Sequence, residues 1–183
     1  SVRAHMSTNL KPEARALIAA GHYGGIFFDL AGHMLDQVVW ILGRPQKATT
    51  FLRNDTGIVA DFQDNTLGVF EYEQAMALVD IAAMEAPPMA RRFEVYGEKG
   101  SAILIEPFEP GHAIRLCLTE ATGGYVQGDQ LVPFEGIGRQ GLYDLELQAF
   151  VRVLKGQQKP DRSLDHELLV QETLLRGTGL IAD

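Results

Sequence analysis

The chain has a single cysteine, Cys117, which excludes an internal disulfide and a cysteine-rich metal site. Cys117 lies in the alternating run Ile-Arg-Leu-Cys-Leu over 114–118, so it reads as a strand residue and not as a nucleophile. Long apolar runs are missing too: none approaches the roughly 18 uninterrupted residues of a membrane span. The opening Ser-Val-Arg-Ala-His-Met lacks the basic start, apolar stretch and cleavage site of a leader, which makes the cytoplasm the expected location. Basic clusters are scarce, the longest being Arg91-Arg92. With 16 basic against 24 acidic side chains the net charge is −8, and repulsion from phosphate argues against a nucleic-acid or anionic-membrane partner. No serine sits in a G-x-S-x-G elbow, which disfavours a serine hydrolase.

What is present is 46% apolar and 22% charged residues over 183 positions, enough for one buried core and too few for two ordinary domains with a linker. Residues 1–8 read as a strand, and a chain that starts inside a strand points to a piece of something longer. Pro12 suits the first turn of a helix over 12–20, with Gly21 as its cap. A second helix over 28–42 carries Leu30, Met34, Val38 and Ile41 as one apolar stripe, widened by Leu35, Val39 and Leu42 and stopped by Gly43-Arg-Pro45. Strands follow at 46–54, 58–63, 66–73, 76–84, 91–97, 101–106 and 113–119, with a short one near Leu131. Their short connections require antiparallel neighbours. Helices over 141–154 and 165–180 close the chain, the first with Leu142, Leu145, Ala149, Phe150 and Val153 on one face. The pattern is α+β: one large, mainly antiparallel open sheet with helices on one face, the other face calling for a second copy of the chain.

Gly136-Ile-Gly138-Arg-Gln-Gly141 matches the G-x-G-x-x-G dinucleotide fingerprint. The fingerprint works only inside a βαβ unit, and Pro133 before it and a helix-to-helix passage after it deny that context. Asp29 and His33 carry more information, because a spacing of four places both on one helical face, with Asp36 beside His33. A carboxylate next to an imidazole makes a general acid/base near neutral pH. On spacing alone an intrahelical ion pair is the simpler account. Against it stand the apolar character of the rest of the helix and the preceding Gly24-Gly25, which lets a backbone or ligand come close. A metal on Asp29, His33 and a third ligand such as His5 is a further reading without a second two-ligand motif to support it. Arg91, with Arg92, suits an anion clamp or a solvated strand edge. His22 and Tyr23, just before the glycines, suit either the same cleft or a plain loop.

The string Gly-Gly-Ile-Phe-Phe-Asp29-Leu-Ala-Gly-His33-Met-Leu-Asp36, running on through Trp40 to Gly43-Arg-Pro45, resembles the G-G-x-x-x-D-x-x-x-H-x-x-D…W-x-x-G-x-P segment of the glucose–fructose oxidoreductase/inositol dehydrogenase (Gfo/Idh/MocA) family. The turn over 97–101 and the helix and loop over 143–160 are similar to later landmarks, so the likeness covers nearly the whole chain. The resemblance implies a dihydrodipicolinate-reductase-like C-terminal domain that binds a sugar or polyol and forms homo-oligomers through its open sheet. It implies that His33 is the catalytic acid/base and that Asp29 contacts hydroxyls, with His5, Ser7, Tyr23 and Arg91 as substrate-binding candidates. The nucleotide-binding Rossmann domain, which holds NAD or NADP, and the family's catalytic lysine belong upstream and are absent from residues 1–183. The expectation is therefore one substrate-binding and oligomerisation domain, inactive alone, with no cofactor or metal of its own. A non-catalytic ligand-binding or oligomerisation module without a nucleotide-binding half is the competing reading.

Overall fold

The computed structural model describes residues 1–21, 24–104, 112–134 and 136–182. Strand β1 (Val2–Ser7) leads into helices α1 (Pro12–Gly21) and α2 (Gly25–Leu42). Strands β2 (Lys47–Arg53), β3 (Asn65–Glu71), β4 (Met76–Ala82), β5 (Arg91–Gly97), β6 (Gly100–Leu104), β7 (Ala113–Leu118) and β8 (Gly128–Pro133) follow. Helices α3 (Arg139–Leu154) and α4 (Leu164–Gly177) end the chain. The strands form one eight-stranded sheet in the order β2-β3-β4-β1-β5-β6-β7-β8. Every pairing is antiparallel except one, where β1 runs parallel to β4 with Ala4 opposite Val79. The α+β class with a mainly antiparallel open sheet is the architecture expected from the sequence.

Helix α2 is the centre of the core. Ile26, Phe27, Ala31, Leu35 and Val38 are fully buried, as the apolar spacing requires, and they face Val2, Ala4, Phe70, Val79 and Ile81 of the sheet. Burial of each large side chain contributes about 1.5–3 kcal/mol. Phe27 fits because two glycines make room: a Cβ at Gly68 or at Gly177 would stand 2.8 Å from its ring. Gly43, at φ 75°, ends α2 by donating its N–H to Val39 O at 2.9 Å. By length and composition α2 is apolar enough to cross a membrane, a property that counting uninterrupted apolar runs does not reveal. Here that apolar surface forms the domain core. Helix α4 starts at Ser163, whose Oγ accepts from His166 N at 3.1 Å, and it packs on α2 and β2.

Three local expectations change. The segment 58–63 is a turn and not a strand, because Asn54 Nδ2 donates to the carbonyls of Val59 and Ala60, both at 2.8 Å, and folds the chain back on itself. The strand near Leu131 is a full edge strand, and Pro133 is tolerated there because its missing N–H faces no partner. Helix α3 has its apolar stripe, but none of its residues is buried, and Leu142, Leu145 and Phe150 are exposed. The helices thus cover the β2–β3–β4–β1 half of one face. The other half, on that same side, is left as the floor of a cleft.

Candidate functional site

That cleft has a volume of about 1020 Å³. Its apolar floor is Phe93, Val95, Ala102, Leu104 and Ile114, the β5–β7 side chains that point toward the helices. Its walls are polar: His33, Asp36 and Gln37 from α2, Arg91 from β5, Arg162 from the α3–α4 connection, and Glu167 from α4. Cations and carboxylates are interspersed, a lining suited to a neutral polyhydroxylated molecule able to hydrogen-bond to both and lay a CH face on the floor.

The entry to α2 is set by backbone contact. Gly25, at φ 54°, lets Gln63 come so near that a Cβ would sit 2.4 Å from its carbonyl oxygen, and Ile26 N donates to that oxygen at 2.9 Å. The Gly24-Gly25 pair therefore admits a neighbouring backbone, one of the two options the sequence left open. Downstream, Asp29 and His33 lie on the exposed side of α2. Neither side chain forms a hydrogen bond or ion pair with a described residue, so the intrahelical pair suggested by their spacing is not made. His33 reaches the cleft; Asp29 does not line it.

Asp36 is not a partner of His33. Its carboxylate accepts from Arg162 Nε at 3.0 Å and Nη2 at 3.1 Å and meets His166 Nε2 at 2.7 Å. Burial would raise the Asp36 pKa, but the hydrogen bonds and charges of Arg162 and His166 outweigh it and hold the carboxyl below its ordinary value. Arg162 in turn stacks over Trp40 at 3.8 Å from the ring centroid, and the His166 ring meets Trp40 edge-on at 5.7 Å. This cluster fastens α2 to the start of α4. Nothing in local spacing joins its two halves, Asp36 with Trp40 and Arg162 with His166, which are more than 120 positions apart.

The remaining candidates separate. Arg91 stands on the cleft side of β5, cross-strand from buried Met6. Ser7 is buried, and its Oγ accepts from Ala90 N at 2.8 Å, tying β1 to the lead-in of β5. His5 alternates with core residues Ala4 and Met6 and so points to the opposite face of the sheet, between Asp80 and Glu85. A metal shared by Asp29, His33 and His5 is thereby overturned, because the sheet lies between His5 and the other two. Tyr23, with His22, lies outside the described residues. The glycine fingerprint at 136–141 follows β8, but α3 leads into α4 and not into a strand, so no βαβ cradle forms around it.

The fold and the cleft define an α+β domain whose sheet carries helices, and a mixed polar pocket, on one face. The model of the GFO/IDH/MocA C-terminal domain matches residues 1–103, and the chain belongs to this family. No curated protein matches the sequence. Among solved structures, the chain is similar to a UDP-N-acetylglucosamine 3-dehydrogenase from Acidithiobacillus ferrooxidans, with a TM-score of 0.73 and 16% identity over 98% of this chain and 54% of that one. It is also similar to an oxidoreductase from Agrobacterium radiobacter in complex with NAD+, L-tartaric acid and magnesium, with a TM-score of 0.67 and 13% identity over 97% of this chain and 54% of that one. The chain thus spans about half the length of these structures, and at such identities the likeness is one of fold.

Proposed function

We propose that this chain is the substrate-binding and oligomerisation domain of an NAD(P)-dependent dehydrogenase acting on a sugar or polyol hydroxyl, and that residues 1–183 do not turn over substrate alone. The observation that carries the reading is His33: an exposed imidazole, unpaired among the described residues, on a rigid core helix at the wall of a mixed polar cleft, in a chain of this family. An imidazole so placed takes the proton of a substrate hydroxyl, a contribution of about 10²–10⁴ in rate. Asp29, one helical turn away and outside the cleft lining, steadies His33 once substrate is present. Arg91 supplies a fixed donor on the facing wall.

The residues described here do not fit a dinucleotide, since the one glycine fingerprint lacks its βαβ unit. In the intact enzyme a separate nucleotide-binding domain holds the NAD or NADP that accepts hydride. The open sheet face supports self-association: Phe51, Met76, Tyr96 and Leu131 project from it with 37–63% of their surface exposed, among Leu67, Val69, Leu78 and Ile103. The bare apolar stripe of α3 supports a larger assembly as well. A cytoplasmic location and the absence of nucleic-acid or membrane partners belong to the same reading, supported by the net charge of −8.

The test is made in the full-length protein with its nucleotide-binding half. Oxidation of a panel of sugars and polyols is followed at the nicotinamide absorbance, in wild type, His33→Ala and Asp29→Asn. A drop of about 10²–10⁴ in kcat for His33→Ala is expected. Unchanged turnover in both variants would sink the assignment.

A further inference from the structure

On the face of the sheet away from the cleft, His5 holds two carboxylates at once. Its Nδ1 meets Asp80 Oδ2 at 3.0 Å and its Nε2 meets Glu85 Oε1 at 3.2 Å. A neutral imidazole carries one N–H, so one of these contacts would set a ring lone pair against a carboxylate oxygen. Only the imidazolium donates to both. Asp80 belongs to β4, whereas Glu85 belongs to the segment 83–90 that carries the chain from β4 to β5, so the proton on His5 joins two parts of the fold.

The rest of that segment is held unevenly. Asn9 Nδ2 donates to Glu85 O at 2.9 Å, Ala83 N donates to Asp64 O at 2.8 Å, and Ser7 N donates to Ala90 O at 2.9 Å. These ties fix the backbone at the two ends and do not titrate. The Glu85 side chain is 38% exposed, and its ring contact is the one that changes with pH. The other charged groups facing this site are Arg3 on β1 itself and Arg92 and Glu94 on β5, all lining the same shallow hollow. Arg92 is the cross-strand partner of His5, and its charge opposes the proton, while Asp80 and Glu85 in direct contact favour it.

We infer that His5 is a proton-operated strut: protonated, it clamps the segment 83–90 against the centre of the sheet through the Glu85 side chain, and deprotonated, it frees the stretch between the backbone ties at Glu85 and Ala90. The inference does not depend on dehydrogenase activity. The hydrogen bond to Asp80 raises the His5 pKa above 6.5; burial opposes it, and the charges of Asp80 and Glu85 with the Glu85 hydrogen bond add to it. The sign follows. A raised histidine pKa stabilises the clamped form below the ordinary histidine range, and that stabilisation is lost as pH rises through the folded value.

The experiment uses this chain as it stands. The His5 ring proton is identified by difference against His5→Gln and titrated by NMR in wild type, Asp80→Asn and Glu85→Gln. Amide exchange of the segment 84–90, corrected for intrinsic rates, is measured over the same pH range. The wild-type midpoint is expected above 6.5 and should fall in each carboxylate variant. Segment protection should fall by about tenfold per unit of His5 shift as the ring deprotonates. In His5→Gln it should be flat with pH. Glu85→Gln changes a partly exposed side chain and leaves the core intact, so it reports even if another variant folds poorly. A wild-type midpoint at or below the ordinary value, or the same pH dependence of protection in His5→Gln, overturns the inference.

Discussion

Arg15 and Asp64 offer the sharpest stability test, because both are charged and both are buried, at 2% and 0% exposure. Arg15 on α1 donates from Nη1 to Asp64 Oδ2 at 3.1 Å, from Nε to Leu10 O at 2.9 Å and from Nη2 to Ala83 O at 2.8 Å. Asp64 accepts in addition from Asp55 N at 2.9 Å, Thr56 N at 3.3 Å and the Thr56 hydroxyl. The pair therefore ties α1, the turn after β2 and the end of β4 at one point. Replacing Arg15 with Met leaves a buried carboxylate without its counter-charge and two carbonyls without donors. Losses of this kind run to about 3–5 kcal/mol, a large share of the roughly 5–15 kcal/mol that stabilises an ordinary domain. Asp64→Asn leaves the buried guanidinium uncompensated and costs a similar amount. The double variant should lose less than the sum, with a coupling of about 1–3 kcal/mol, because each single change strands the other's charge. Urea unfolding followed by Trp40 fluorescence reads this directly. For m near 2 kcal/mol/M each single change should move the midpoint down by roughly 2 M. Single variants losing under about 1 kcal/mol each, or strictly additive losses, would refute the view that this ion pair organises the α1 side of the fold.

Two further outcomes follow from other contacts. Gly25→Ala places a Cβ at φ 54° and 2.4 Å from the Gln63 carbonyl oxygen, and neither backbone can yield; thermal unfolding should show a loss of about 2–4 kcal/mol. Asp36→Asn weakens the hold on Arg162 and His166, with an expected loss of about 1–2 kcal/mol at neutral pH and a change in Trp40 emission. Because the Asp36 pKa is lowered in the folded state, its contribution is full above the ordinary carboxylate value and is lost as pH falls through the folded one. The difference between wild type and Asp36→Asn should therefore vanish in acid, and a constant difference down to pH 2 would contradict the pairing.

What the sequence alone determined about this protein is local. The apolar spacing along α2, its stop at Gly43, the alternating strands and the turn glycines prescribe elements because 3.6- and 2-residue periods act over a few turns of chain. The motif from Gly24 to Pro45 marked the family through the same short stretch. Tertiary structure decided the rest. It inserted β1 between β4 and β5, and so turned His5 away from His33; the alternation of β1 is visible in sequence, but which face meets the helices is not. It drew Asp36 to Arg162 and His166, whereas i, i+3 spacing had put it beside His33. It also buried Arg15 against Asp64, two residues that composition would place at the surface. Charged side chains choose partners by position in space, and the candidates brought together by folding lie far outside any local window.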